Sequence, residues 1–164
     1  MKDGFEIERK FLIEFPDIKL LCAHGARVME LEQSYIEGGG RVRKVTDNGR
    51  VSYIKTVKKH ITDLKREEKE WEITKEEYEK ELENKTFGTE TIVKTRYAVA
   101  LYGFVYEIDI FPFWSDRAFM EVELENENQQ FPIPDFLKII KDVTFDKRYR
   151  NSSLARKIVT EPVI

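Results

Sequence analysis

The stretch GFEIERKFLIE, Gly4 to Glu14, alternates polar and apolar side chains over most of its length. Alternation with period two predicts a β-strand, because successive side chains of a strand point to opposite faces of the sheet. One face carries Glu6, Glu8 and Lys10, and the other is mainly apolar and is expected to pack on a core. Two carboxylates and an ammonium in one row suit a metal cation beside a phosphate.

Similar patterns continue along the chain. A short helix capped by Asp17 is followed by seven more predicted strands, at residues 28–36, 41–46, 50–57, 65–73, 91–98, 103–111 and 118–125. A capping box at Thr74 and Glu77 opens a helix to about residue 85, and another short helix is predicted at 136–140. Strands joined mainly by hairpins, with few helices, favour an antiparallel α+β fold, with a sheet that is either open or closed into an eight-stranded barrel. We expect one domain over residues 1–164.

Most of the predicted strands carry charges of a single sign on one face. These charged positions are Glu6, Glu8, Arg41, Arg43, Lys55, Glu68, Glu70, Glu72, Lys94, Arg96, Glu107, Asp109, Glu121 and Glu123. Any single pair is explained by a solvent-exposed strand face. Exposed faces usually mix signs, however, so the whole set favours an enclosed charged surface. Carboxylates there would bind Mg²⁺ or Mn²⁺, and arginines would bind phosphate oxygens.

The composition narrows the classes of function. The 164 residues include 28 Lys and Arg against 31 Asp and Glu, and this net charge of −3 argues against a general nucleic-acid-binding protein. The single cysteine, Cys22, excludes an internal disulfide. No apolar run approaches the roughly 20 residues of a membrane helix, and charges interrupt the first residues where a signal sequence would be apolar. We expect a cytoplasmic monomer or homodimer that binds neither nucleic acid nor membranes.

The ordered motifs resemble those of the CYTH superfamily, the triphosphate tunnel metalloenzymes, and the size resembles a small single-domain bacterial-type member. The motifs are Glu6-x-Glu8-x-Lys10, Arg41-x-Arg43, Lys55, Glu68-x-Glu70-x-Glu72, Lys94-x-Arg96, Glu107-x-Asp109, Glu121-x-Glu123 and, in the tail, residues 146–151. The resemblance implies a closed barrel around a polar tunnel. Basic residues of such a tunnel bind a triphosphate, and acidic residues bind divalent metal.

Carried over to this sequence, the resemblance assigns three sets of residues. The catalytic set is Glu6, Glu8 and Lys10. The substrate-binding set is Lys10, Arg41, Arg43, Lys55, Arg96 and Lys147. The set expected to bind one or two Mg²⁺ or Mn²⁺ ions is Glu6, Glu8, Glu68, Glu70, Asp109, Glu121 and Glu123. Glu72 and Lys94 are expected closer to the tunnel mouth.

The favoured function is metal-dependent hydrolysis of a triphosphate, with inorganic tripolyphosphate ahead of nucleoside triphosphates and thiamine triphosphate. A class IV-like adenylate cyclase, which converts ATP to cyclic AMP, is the main alternative. A non-catalytic polyphosphate sensor ranks last, because both acidic pairs, Glu6/Glu8 and Glu121/Glu123, are present. His24 and His60 are expected to have surface or structural roles.

Overall fold

The computed structural model describes residues 2–62 and 64–163, and its sheet closes on itself. The strands are β1 (Lys2–Glu14), β2 (Arg27–Tyr35), β3 (Arg41–Asp47), β4 (Arg50–His60), β5 (Lys65–Ile73), β6 (Ile92–Leu101), β7 (Phe104–Ile110), β8 (Arg117–Glu123) and β9 (Ile139–Asp142). The order of neighbours is β5-β4-β3-β2-β6-β7-β8-β1, and β1 also pairs with β5. All of these pairings are antiparallel, so the eight strands form the closed α+β barrel that the sequence predicts.

Strand β1 is the seam of the barrel. Its residues 2–7 pair with β5, and its residues 8–14 pair with β8 on the other edge. Beyond the end of β5, residues 11–13 pair with the ninth strand, β9. The charged positions of β1 therefore lie where the two halves of the sheet meet.

Short helices connect or cover the strands. They are α1 (Ile18–Ala23), α2 (Lys75–Leu82), α3 (Asn151–Leu154) and a 3₁₀ helix (Lys147–Tyr149). Asp17 accepts hydrogen bonds from the first backbone amides of α1, and the predicted capping box of Thr74 and Glu77 opens α2. Among the helices that the structure describes, none is long and apolar enough to cross a membrane.

The helix predicted at 136–140 is wrong. Residues 139–142 form β9 instead, because they complete the edge of β1 that β5 leaves unpaired. The β-branched Ile139 and Ile140 suit that edge better than a helix interior. The segment then continues into the tail, where the backbone amide of Val143 donates to the carbonyl of Lys10.

Two apolar layers cover the outside of the barrel. The larger one includes Ile7, Phe11, Ile108 and Met120 and continues under α1 through Leu21. The smaller one lies under α2 and is formed by Ile36, Val42, Ile73 and Tyr78, with Tyr53, Trp71 and Leu82 at its edge. Where these layers pack, the outward face of the strand is apolar and the opposite face points into the barrel.

A third apolar cluster lies at one end of the barrel interior. We call it the apolar plug, and its buried members are Leu12, Ile92, Phe111, Trp114, Phe119, Val143, Tyr149, Leu154 and Ala155. Leu12 and Phe119 share strand faces with Lys10 and Glu121, two residues away in each case. The lining of the barrel thus changes from charged to apolar over two residues of each strand. Tail residues within 143–155 complete the apolar plug at this end of the barrel.

Candidate active site

The barrel encloses a cavity of about 470 Å³ with a predominantly charged lining, which we call the charged cavity. The acidic side chains that line it are Glu6, Glu8, Glu68, Glu70, Glu107, Glu121 and Glu123. The basic side chains that line it are Lys10, Arg41, Arg43, Lys58, His60, Arg66, Lys94, Arg96 and Arg150. Most follow the two-residue spacing of strand faces, since the barrel directs alternate residues of each strand inward.

The two signs of charge occupy different arcs of the barrel. The consecutive strands β7, β8, β1 and β5 supply all the acidic residues of the lining, and we call them the acidic wall. The strands β4, β3 and β6 supply Lys58, Arg41, Arg43, Lys94 and Arg96, which we call the basic wall. Lys10 and Arg66 are cations within the acidic arc. The closed order of strands makes the two walls face each other across the cavity.

Most of the site residues predicted from sequence lie together in this cavity. They are Glu6, Glu8, Lys10, Arg41, Arg43, Glu68, Glu70, Arg96, Glu121 and Glu123. Lys94 also lines the cavity but is only 1% exposed, so it lies deep in the barrel rather than at the mouth. Glu72 is exposed and does not line the cavity.

Lys55 does not lie in the charged cavity. Its ammonium donates to Glu81 of α2 at 2.9 Å and lies 5.9 Å from the centre of the Trp71 ring, both on the outside of the barrel. The inward residues of β4 are Thr56, Lys58 and His60. The prediction directed the face of β4 that carries Lys55 into the barrel. In the structure the other face points inward, and Lys58 is the lysine that β4 directs into the cavity.

Lys147 and Asp109 are also placed differently from the prediction. Lys147 is exposed at the start of the 3₁₀ helix and does not line the cavity, whereas Arg150 of the same tail does. Asp109 lies on the inward face of β7 but is fully buried, and Lys94 and Arg96 donate to its two oxygens. Neither side chain lines the charged cavity.

Several lining residues were missed from sequence. Lys58 and His60 follow the predicted end of β4 at residue 57, but they continue the same face in a strand that runs to residue 60. Arg66 precedes Glu68 by two residues, so strand periodicity could have found it. Nothing in the sequence periodicity points to Arg150, because tertiary contacts place the tail.

Ion pairs link residues around the lining. Lys58 donates to Glu6 at 3.0 Å, and the closest N–O distance between Arg43 and Glu70 is 3.4 Å. The Nε atoms of Arg41 and Arg43 are buried without a hydrogen-bond partner among the described residues. Unpaired guanidinium N–H groups are costly when buried, and they match the geometry of phosphate oxygens.

Lys10 lies where the charged cavity meets the apolar plug. Its ammonium donates to the carbonyl of Tyr149 at 2.8 Å and lies 3.9 Å from the centre of the Phe119 ring. Glu121 is 3.7 Å away. Burial lowers the pKa of Lys10 and outweighs the opposing effect of the nearby carboxylates. The tail therefore fixes the position of this ammonium through a backbone oxygen.

Crowding perturbs the carboxyl groups of the acidic wall. Burial and a hydrogen bond with Glu6 raise the pKa of Glu68 to about 8. Burial and the negative charges of Glu121 and Glu6 also raise the pKa of Glu8. Burial acts to raise the pKa of Glu6 too, but hydrogen bonding from Glu68 and the Lys58 charge together hold it well below its usual value.

The acidic wall has the chemistry of a divalent-cation site. The carboxyl group of Glu68, with a pKa of about 8, would release its proton to a cation, and carboxylate oxygens are the ligands that Mg²⁺ and Mn²⁺ prefer. Among the described residues, no group of three or more is already arranged around one point as a metal site. The carboxylates of the acidic wall are suitable ligands for such a cation.

A family comparison agrees with this architecture. The family described as CYTH domain matches residues 4–154. The chain belongs to the CYTH family. The match covers β1 from Gly4, all the other strands, and the tail as far as Leu154. This CYTH domain therefore includes both walls of the charged cavity and every buried member of the apolar plug except Ala155.

Solved structures resemble this CYTH domain over nearly its whole length. One structure of the hypothetical protein NE1496 is 31% identical, with a TM-score of 0.58, and the match covers 94% of this chain and 99% of that one. A second structure, of the inorganic triphosphatase NE1496, is 29% identical, with a TM-score of 0.57 and coverage of 93% and 95%.

A more distant relative shares the fold alone. The PH1012 protein from Pyrococcus horikoshii OT3 is 21% identical with a TM-score of 0.52, and the match covers 74% of this chain and 80% of that one. No curated protein matches the sequence of this CYTH domain.

Proposed function

We propose that this CYTH domain hydrolyses inorganic tripolyphosphate to pyrophosphate and phosphate with a divalent cation. The observation that carries the proposal is the pair of facing walls in one barrel cavity of about 470 Å³. A linear polyanion with bound cations matches both walls at once. The likeness over nearly the whole chain to NE1496, described as an inorganic triphosphatase, supports the same function.

The basic wall would hold the phosphate chain. Arg41 and Arg43 each carry a buried Nε–H that lacks a partner among the described residues. Lys58 and Arg96 line the same surface. A planar guanidinium group binds a phosphate through two parallel hydrogen bonds. These interactions are stronger for a buried group such as Arg43, because less water competes for it. The basic wall would thereby orient the chain and stabilise charge that develops on the leaving pyrophosphate.

Glu121, Glu123, Glu8 and Glu68 are the residues that would hold the cation. Glu121 and Glu123 lie two residues apart on the same face of β8, and Glu8 pairs with Glu123 in the sheet. Mg²⁺ or Mn²⁺ bound there would neutralise phosphate charge and polarise the phosphorus.

Glu6 would orient the attacking water. It stays ionised because the hydrogen bond from Glu68 and the Lys58 ammonium outweigh the effect of burial on its pKa. An ionised carboxylate can accept a hydrogen bond from a water molecule and thereby orient a lone pair of the water oxygen toward the terminal phosphate. Lys10, at the boundary with the apolar plug, would contact the phosphate at the inner end of the chain.

Adenylate cyclase activity is the second candidate, and the lining gives it little support. A cyclase must also hold the adenine base and the ribose. Tyr35 and His60 carry the only rings among the described lining residues, and the Tyr35 hydroxyl accepts a hydrogen bond from Gln33. Most of the other lining side chains are charged, which suits the phosphate chain rather than a base.

Product analysis tests the proposal. The purified protein is incubated with tripolyphosphate, ATP or thiamine triphosphate and with Mg²⁺, Mn²⁺ or EDTA, and phosphate, pyrophosphate and cyclic AMP are measured. We expect equal amounts of phosphate and pyrophosphate from tripolyphosphate, only with a divalent cation. Cyclic AMP from ATP would identify a cyclase, and tight binding without turnover under every metal would identify a sensor.

A further inference from the structure

Asp109 lies behind the basic wall and contacts two of its cations. It pairs directly with Arg96 across β6 and β7, and its side chain is fully buried. Arg96 donates to Oδ1 through Nε at 2.8 Å and to Oδ2 through Nη2 at 2.9 Å. Lys94 donates to Oδ2 at 2.8 Å. One carboxylate thus binds a guanidinium through two bonds and an ammonium through a third.

The contacts with Asp109 leave further N–H groups on both cations. Lys94 and Arg96 line the charged cavity, whereas Asp109 does not. The three hydrogen bonds to Asp109 use one N–H of Lys94 and two of Arg96. Glu107, which lines the cavity, is 3.0 Å from Nη1 of Arg96. A lysine and an arginine two residues apart on one strand face repel each other, and the carboxylate between them offsets that repulsion.

We infer that Asp109 is a positioning residue, which orients Arg96 and Lys94 toward the phosphate chain and does not bind the metal. The inference rests on the proposed function, because it assigns the residue a part in binding the same anion. For Asp109 to bind a metal, both cations would have to lose their partner inside the barrel. Breaking buried ion pairs in this way is strongly unfavourable.

The inference is tested by whether Asp109→Asn weakens or strengthens the binding of tripolyphosphate in the absence of metal. Isothermal titration calorimetry is performed in EDTA on the wild type and on Asp109→Asn. By charge alone, removing a carboxylate from the neighbourhood of an anion site strengthens anion binding. If Asp109 positions the two cations, the Asn variant binds tripolyphosphate about tenfold or more weakly, although it carries one negative charge fewer. Unchanged or tighter binding overturns the inference.

Glu107→Gln is the matched control. Glu107 contacts the same arginine and also lies on β7, but it lines the cavity. Its removal leaves the bonds from Asp109 to Arg96 intact, so we expect unchanged or tighter binding of tripolyphosphate in EDTA. Weaker binding in Asp109→Asn together with unchanged or tighter binding in Glu107→Gln supports a positioning role for Asp109. Tighter binding in both variants would show that Asp109 acts only through its charge.

A measurement on the wild type covers the case in which Asp109→Asn does not fold. NMR of the arginine Nε–H groups reports the exchange of the Arg96 proton that is bonded to Asp109. Under the inference this proton stays protected when Mg²⁺ is added to saturation. Acceleration of its exchange by about tenfold or more would show that the cation has drawn Asp109 away, and would overturn the inference.

The proposed function can fail separately. If the wild type releases no phosphate from tripolyphosphate with any metal, catalysis is excluded. The calorimetric comparison in EDTA still decides how Asp109 acts on anion binding. If the wild type does not bind tripolyphosphate in EDTA or with Mg²⁺, both the proposed function and the positioning role of Asp109 are wrong.

Discussion

Lys58 of β4 donates to Glu6 of β1 at 3.0 Å, and this contact spans the intervening strand β5 inside the barrel. Glu68 of β5 pairs with Lys58 in the sheet and shares a hydrogen bond with Glu6. The Lys58 ammonium has three N–H groups, so it can donate to a phosphate while it keeps its bond to Glu6. Lys58 would thus link the bound phosphate chain to the carboxylate that is proposed to orient water.

Lys58 and Lys55 form a matched pair for mutation, because they lie on opposite faces of one strand. We expect Lys58→Met to raise the KM for tripolyphosphate about 10- to 100-fold, the loss of one charge-assisted hydrogen bond of about 1.5–3 kcal/mol. Lys55→Met should leave KM within about twofold and lower the free energy of unfolding by about 0.2–1 kcal/mol, because it removes contacts with Glu81 and Trp71 on the outside of the barrel. Steady-state kinetics and urea unfolding measure both effects. A larger KM effect at Lys55 would contradict the placement of the two lysines.

Glu121→Gln tests the metal-binding part of the acidic wall. Glu121 lies 3.7 Å from Lys10 and lines the cavity. We expect kcat with Mg²⁺ to fall at least about 100-fold, since the change removes a charged group at the reacting centre. Binding of tripolyphosphate in EDTA should persist, because the basic wall is intact. Glu8→Gln should behave in the same way, and a wild-type rate in both variants would contradict the assignment.

The protonation of Glu68 predicts how stability depends on pH in the absence of metal. Its pKa is about 8 in the folded protein against a usual value of 4.5, so the folded state binds more protons than the unfolded chain between these two values. The free energy of unfolding should therefore fall as the pH rises through this window, by at most about 1.4 kcal/mol per pH unit, and should stop falling above it.

The control for this pH dependence is Glu68→Gln, which keeps a hydrogen-bond donor toward Glu6 but does not titrate. Urea unfolding at several pH values in EDTA compares the two proteins. The slope should be less negative in the variant, although Glu8 contributes in the same direction in both. Equal slopes would show that Glu68 is ionised throughout this range.

The apolar plug should be essential to stability. Leu12 is 0% exposed within it, so Leu12→Ala is expected to lower the free energy of unfolding by about 2–5 kcal/mol. Leu20 of α1 is 40% exposed, and Leu20→Ala should cost less than about 1 kcal/mol. Urea unfolding at one pH measures both. Similar losses in the two variants would argue against a tightly packed plug.

The two-residue periodicity of the strands was sufficient to predict their positions and many of the inward-facing residues. The bounds predicted for β5 agree with the structure, and Glu6, Glu8 and Lys10 share the inward face as the alternation indicated. The choice between Lys55 and Lys58 could not be made in this way. Val51, Tyr53 and Val57 share the face of Lys55, whereas Ile54 shares the face of Lys58. Because both faces carry apolar residues, the alternation does not decide which one points inward, and pairing with the neighbouring strands determines it.

Depth inside the barrel was also beyond the sequence. The alternation places Asp109 on the correct face, but it does not show that Lys94 and Arg96 occupy both carboxylate oxygens. The tail lacks a period, and its position depends on contacts with distant residues. Trp114 donates to the carbonyl of Val159, and Tyr149 is buried in the apolar plug.

The triple pairing of β1 has a consequence for how the molecule assembles. The backbone hydrogen bonds of β1 form only with β5, β8 and β9, which follow it at increasing distance along the chain. Such remote partners slow folding, because long loops must close before the contacts compensate for the lost chain entropy. A nascent chain that stops short of β8 would expose the unpaired backbone of β1, an edge prone to intermolecular association.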